Sequence, residues 1–140
     1  MKHVSILFRS KCWNVFLLLC IALPSLAQKE FKINQVSVVN VGDGRFLYRD
    51  LMTEKPLNGE HRIIDGYHSA YILASFKDGF YDGKYEEHLD NILINEGVYK
   101  DGRKNGLFKI YSKFDGKLKE EKSYKEGKLK VICEILYEEF

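Results

Sequence analysis

The sequence predicts an all-β chain, an antiparallel meander of repeated β-hairpins preceded by an N-terminal signal helix. Three observations predict it. A glycine turn recurs throughout the second half of the chain, apolar and polar residues alternate with period two between the turns, and no twelve-residue window after Gln28 carries a helical stripe.

The first element is the leader. Lys2, Arg9 and Lys11 precede an apolar run from Val15 to Leu23, Pro24 breaks it, and Ser25-Leu26-Ala27 places small residues at the −3 and −1 positions of a cleavage site. A basic start, a short apolar run and a small-residue exit are the build of a secretory signal. The run falls short of the roughly 20 apolar residues of a spanning helix. Residues 1–27 are therefore expected to be a signal peptide cut between Ala27 and Gln28, and the mature chain to be secreted or periplasmic. A lipoprotein signal also ends in a cysteine, but Leu17-Leu18-Leu19 precede Cys20 where such signals carry small residues, so a lipid-anchored form is not expected.

The mature chain, 28–140, is long enough for one domain with a modest core. The precursor has 22 Lys and Arg against 20 Asp and Glu, and losing three bases with the leader makes the balance slightly acidic. That removes the general basic charge a nucleic-acid binder needs, and nucleic acid is not expected as a partner. Cys133 remains alone, which excludes an intramolecular disulfide or a paired-cysteine metal site.

Residues 28–34 are polar and expected to fray. Val36 to Val41 reads as a strand ending at Gly42-Asp43-Gly44, and Phe46 to Tyr48 as the start of the next. The repeat then begins. Phe76-Lys77-Asp78-Gly79 recurs as Tyr99-Lys100-Asp101-Gly102 and again, at nearly the same interval, as Tyr124-Lys125-Glu126-Gly127. A second glycine follows the first two, in Asp82-Gly83 and Asn105-Gly106, and Pro56-Leu57-Asn58-Gly59 looks like an earlier half-unit. Val131 stands where the last unit would carry that second glycine. Units of approximately 48–75, 76–98, 99–123 and 124–140 result.

Acid-glycine pairs supply the positive φ that tight hairpins demand. Gly59, Gly79, Gly83, Gly102, Gly106, Gly116 and Gly127 are accordingly read as structural turn glycines, and Phe76, Tyr99 and Tyr124 as aromatics packed beside their turns. Asp115-Gly116 and Asp90-Asn91 mark looser turns at the other end of each hairpin. Between turns, Ala70, Ile72, Ala74 and Phe76 oppose Tyr67, Tyr71 and Leu73; Phe108, Ile110 and Phe114 oppose Leu107, Lys109, Tyr111 and Lys113. Leu129, Val131, Cys133, Ile135 and Tyr137 alternate with their neighbours at the end. About eight to ten strands follow from this pattern.

These units resemble the MORN repeat, and more closely a shorter bacterial variant grouped as an antitoxin-like repeat family. The resemblance covers about residues 48–130. It implies an elongated, twisted antiparallel sheet of consecutive hairpins that binds or scaffolds, with protein or membrane partners. An antitoxin acts in the cytoplasm, so for an exported chain the label is read as naming a repeat type rather than an activity.

The sequence carries no catalytic set. His61, His68 and His88 lack metal-ligand spacing with one another or with Cys133, and each is read as an exposed or turn histidine. Glu86-Glu87 and Glu120-Glu121 are adjacent and point to opposite faces of a strand. No enzyme activity, metal or cofactor is expected. Residues 97–130 hold 11 bases and 5 acids, and Lys109, Lys113, Lys117, Lys119 and Lys125 are the candidate basic surface. Two readings stand: a solvated face that discourages edge aggregation, or a binding stripe for anionic lipid or glycan. The expected function is a non-catalytic protein-interaction or scaffold module with a protein partner.

Overall fold

The computed structural model describes residues 28–130, so the expected signal peptide with Ala27 and the segment 131–140 expected to alternate lie outside the described residues. Within them the chain is all-β and mostly antiparallel. Eleven strands are present among the described residues, two of them only two residues long, against the eight to ten expected for the chain.

The start of the chain departs from expectation. Residues 28–34 contain a strand, β1 (Lys29–Lys32), followed by a 3-10 turn at Ile33–Gln35. Phe31 explains the order: it is buried and lies in register beside Ile63 of β4 (Gly59–Asp65), and the two strands run parallel. One large apolar side chain among charged neighbours anchors a segment whose composition alone suggests fraying.

β2 (Val36–Gly42) and β3 (Arg45–Asp50) form a separate two-stranded hairpin. The main sheet continues from β4 through β5 (Ala70–Lys77), β6 (Phe80–Leu89), β7 (Ile92–Lys100), β8 (Arg103–Lys104), β9 (Gly106–Tyr111), β10 (Leu118–Lys125) and β11 (Lys128–Leu129). Its order is β1-β4-β5-β6-β7-β9-β10-β11, with β8 also paired to β7.

Asp78-Gly79, Asp101-Gly102 and Glu126-Gly127 each turn the chain with both central residues at positive φ, the geometry that matches strand twist in two-residue hairpins. Asp43-Gly44 and Asp90-Asn91 do the same. One hydrogen bond recurs at the three turns. Gly79, Gly102 and Gly127 donate their N–H groups to the carbonyls of Leu57, Tyr81 and Lys104, at 2.9, 2.8 and 2.8 Å. The residue after the first two acceptors adds a second bond: Asn58 Oδ1 and Asp82 Oδ2 accept from the backbone of Asp78 and Asp101 at 2.8 and 3.0 Å. Each turn thus seats on the preceding unit.

The second glycines serve another purpose. Gly83 lies inside β6, where the pairing with β5 shifts register between Ala74 and Phe76. Gly106 and Gly59 open strands β9 and β4. All three have positive φ, yet none sits at a hairpin tip; Gly83 marks a β-bulge. Gly116 lies in the connection between β9 and β10, as expected.

The core is Phe31, Val36, Leu57, Ile63, Ala74, Phe76 and Tyr81, with Tyr48, Ile72, Tyr85 and Tyr99 packed against it. It fills the space between hairpin β2–β3 and the first strands of the main sheet. The alternation in β5 is borne out, since Ala74 and Phe76 face this core. Tyr67 and Phe114 depart from it: they are 98% and 83% exposed, because β5 begins only at Ala70 and β9 ends at Tyr111.

Candidate functional site

The face that builds the core continues beyond it as a row of rings. Phe76, Tyr81, Tyr99, Phe108 and Tyr124 are consecutive neighbours, with centroids 4.9, 5.1, 5.3 and 5.5 Å apart. Tyr85 joins Tyr81 and Tyr99 at 5.3 and 5.2 Å, and Tyr48 reaches over from β3 to Tyr81 at 4.7 Å. The repeat produces this directly. The aromatic before each turn (Phe76, Tyr99, Tyr124) and the residue two after each second glycine (Tyr85, Phe108) share the inner face. His61 occupies the second position in the first unit.

Among the described residues hairpin β2–β3 covers only part of the row. Between it and the sheet lies a groove of about 710 Å³, walled by Phe46, Tyr48, Ile72, Tyr81, Tyr85 and Tyr99. Asp43, Arg103, Lys104, Glu126 and Lys128 form its rim. Phe46 is 46% exposed there. A second cavity of about 620 Å³ adjoins it through Arg103, Glu126 and Lys128, and adds Lys100 and Lys125.

An ion-pair clamp fixes the hairpin over the sheet. Arg45 donates to Asp43 at 3.0 Å and to Asp101 at 3.1 Å, and Arg103 reaches Asp43 at 2.7 Å. Hydrogen bonding to Arg45 is the main cause holding the Asp43 carboxyl below its ordinary value. The guanidinium of Arg45 also lies 4.9 Å from the ring centre of Phe80.

The groove's hydroxyls stay protonated well into alkaline conditions. Burial pushes Tyr99 up to about 12. Burial likewise drives Tyr81 far upward, helped by the Tyr48 hydroxyl, and Tyr85 far upward, helped by Glu87. Phenols held neutral present hydrogen-bond donors among rings. Tyr85 donates to Glu87 at 3.4 Å, and Asn95 Nδ2 donates to the same oxygen at 2.8 Å.

The expected basic residues do not form one stripe. Lys109 is on the opposite face, 3.6 Å from Glu96, where Glu96 also accepts from the Tyr111 hydroxyl and pushes it up to about 12. Lys113 lies over Phe114 in the connection, and Lys117 pairs with Asp115 before β10 begins. Lys119 falls where the β10 register shifts, which breaks the alternation that would align it with Lys117 and Lys125. Lys125 alone of the five lines a groove cavity.

The cations that do converge are Lys100, Arg103, Lys104, Lys125 and Lys128, all at the turn end of the sheet. Lys104 sits over Phe108 and Tyr124, 4.8 and 5.1 Å from their centres. The repeat alignment carries the signal for it: Leu57, Tyr81 and Lys104 are equivalent, each two residues before the second glycine of its unit. A lysine there, in a position otherwise apolar or aromatic, puts a charge over the buried Phe108 ring.

The histidines also differ from the reading of exposed rings. His61 is buried at 8% exposure between Phe31 and Phe76, and its Nε2 donates to the Asn58 carbonyl at 2.8 Å. His88 stacks on Tyr71 at 4.5 Å on the outer face, with Glu86 at 3.2 Å from its Nε2. Lys84 holds that same carboxylate, so the pair belongs to a stacked, ion-paired ladder. Only His68 is exposed in a turn, beside Asp65 at 2.7 Å. Among the described residues no cluster of three metal-ligating side chains occurs.

Compared with known proteins, the chain matches no family model, no curated protein and no solved structure.

Proposed function

We propose that this chain is an exported, non-catalytic interaction module of MORN-like hairpin units, and that it binds a segment of a partner protein in the groove beneath hairpin β2–β3. The observation that carries the reading is a groove of about 710 Å³ walled by Phe46, which is 46% exposed, and by the partly buried Tyr85 and Tyr99. Rings of this kind give a partner large contact area at small entropic cost, and neutral hydroxyls give it hydrogen bonds. The ion-pair clamp supports the reading further, because it preorganises the wall before a partner arrives.

The test is capture from the native envelope with the full-length coding sequence expressed as bait, compared with Phe46→Ser and Tyr85→Ser. A protein retained by the unaltered bait and lost from both variants, at unchanged melting temperature, is the expected result. Equal retention by all three baits would move the binding surface elsewhere.

One observation favours a second reading, binding of anionic lipid or glycan. Five cations gather at the turn end, although only Lys125 belongs to the stripe expected from sequence. Salt-sensitive sedimentation with anionic vesicles, weakened by Lys104→Ala and Lys128→Ala together, would support it. No sedimentation at low salt would remove it.

A further inference from the structure

The sheet edges are treated unequally. β1 reads Lys-Glu-Phe-Lys; at the other end β11 pairs only with Tyr124 and Lys125, so among the described residues most of β10 lies at the edge, and five of its eight residues are charged. Charged side chains on an edge strand oppose pairing with another chain. β2 reads Val-Ser-Val-Val-Asn-Val-Gly, with no charge and no proline, and among the described residues its one strand partner is β3. Val38, Val39 and Val41 are 48%, 44% and 43% exposed, so both faces of this strand reach solvent.

Its backbone groups can be assigned to sides. Leu51 donates to the Gln35 carbonyl at 2.9 Å in register with the β2–β3 pairing. Bonded and non-bonded positions alternate in an antiparallel pair, so Ser37 and Val39 bond to β3 while Val36, Val38 and Asn40 turn their groups outward. The Val36 N–H agrees, since it bonds back to Ile33 rather than across to β3. The N–H and C=O groups of Val38 and Asn40 have no partner strand among the described residues.

We propose that β2 is a self-association edge, pairing antiparallel with β2 of a second copy about a two-fold axis at Val39. The strand is its own complement in that register. Val38 meets Asn40 of the second copy, so their outward groups exchange hydrogen bonds in both directions, Val39 meets Val39, and Ser37 meets Val41. A charged strand placed against itself would set like charges opposite one another, which destabilises a ladder; β2 carries none. The dimer joins two hairpins into one four-stranded sheet and sets two grooves side by side, each walled by Phe46 of its own copy. A partner with two copies of its binding segment would then be held bivalently. One strand pair is a small interface, so the association is reversible and concentration-dependent.

The test is sedimentation equilibrium over a dilution series, on the protein expressed from its full-length coding sequence. The unaltered protein is expected to pass from dimer to monomer on dilution. Val39→Lys sets two lysines opposite each other at the axis and is expected to stay monomeric at every concentration tested. Mixing Val39→Lys with Val39→Glu is expected to restore the dimer, which a merely misfolded variant could not do. Val38→Pro removes an outward N–H without touching a bond to β3 and gives an independent second reading. A monomer throughout, or a dimer indifferent to Val39→Lys and Val38→Pro, overturns the proposal.

Discussion

The two ends of the main sheet are built from one unit, and among the described residues only one end is covered. At the Asp78-Gly79 turn, β3 lies directly on the glycine: a Cβ there would meet Leu47 Cδ1 at 2.4 Å and the Tyr48 carbonyl at 2.8 Å. At Glu126-Gly127, a Cβ would meet nothing closer than the flexible Arg103 side chain at 3.6 Å. Identical turn chemistry therefore bears different loads, set by packing that the repeat itself does not encode. Substituting Gly79 tests the loaded end. Gly79→Ala adds backbone collision to a positive-φ cost, and a loss of roughly 3–5 kcal/mol is expected from the two together. Chemical denaturation would show it, and a loss below that of any other turn glycine would mean that β3 is not seated there.

The covered and open parts also differ in what pH does to them. Tyr81, Tyr85 and Tyr99 have raised values because the hairpin and neighbouring rings exclude water from them. Below the ordinary phenol value of about 10, folded and unfolded chains both keep these protons and stability is unaffected. Above it the unfolded chain releases protons that the fold retains, so stability falls as pH rises, up to the folded value of about 12 for Tyr99. Unfolding followed by circular dichroism and by phenolate absorbance should coincide between those limits. Phenolate formation that precedes loss of structure would show an already wet groove.

The extent to which this was legible in the sequence divides along the same line. The hairpin tips were legible, because Asp-Gly and Glu-Gly pairs report local φ requirements; the Asn-Gly pairs report positive φ at Gly59 and Gly106 but open strands instead of turning the chain. The strands of the sheet were legible, because β5 and β9 alternate against a one-sided core. β1 was not, since its place depends on Phe31 alone and on parallel pairing with β4, a strand distant in sequence that lies beyond the whole β2–β3 hairpin. The groove was not, because nothing local says that β2–β3 leaves the sheet and folds across it. The basic stripe was misread for a related reason: one extra residue at the β10 bulge breaks the alternation that would set Lys117 and Lys119 on one side with Lys125.

The middle of the sheet sharpens the comparison. Gly97 has no positive φ, yet a Cβ on it would meet the Phe108 ring at 2.6 Å. The equivalent position one unit earlier is Ala74, in register with Tyr85. The ring settles onto a bare backbone in one unit and beside a methyl group in the other. Gly97→Ala must therefore displace Phe108, and a loss of about 1–3 kcal/mol is expected. Because Phe108 also supports Tyr99 and Tyr124, the same variant should change tyrosine fluorescence in the groove. An unchanged spectrum would mean that the ring has room to move, and that this part of the row is loosely packed.

The open end supplies the smallest effect. Gly127 has φ +82° and no close neighbour, so Gly127→Ala carries the left-handed backbone cost without collision, about 1–2 kcal/mol. Gly127→Asn should cost less still, because asparagine tolerates that conformation. The turn's remaining tie is the N–H bond to Lys104, which survives either change. Melting temperatures should rank the unaltered chain first, then Gly127→Asn, Gly127→Ala and, far below, Gly79→Ala. If the Gly127 and Gly79 variants melted together, the two ends would be equally loaded and the contrast between a capped and an open end of the sheet would fail.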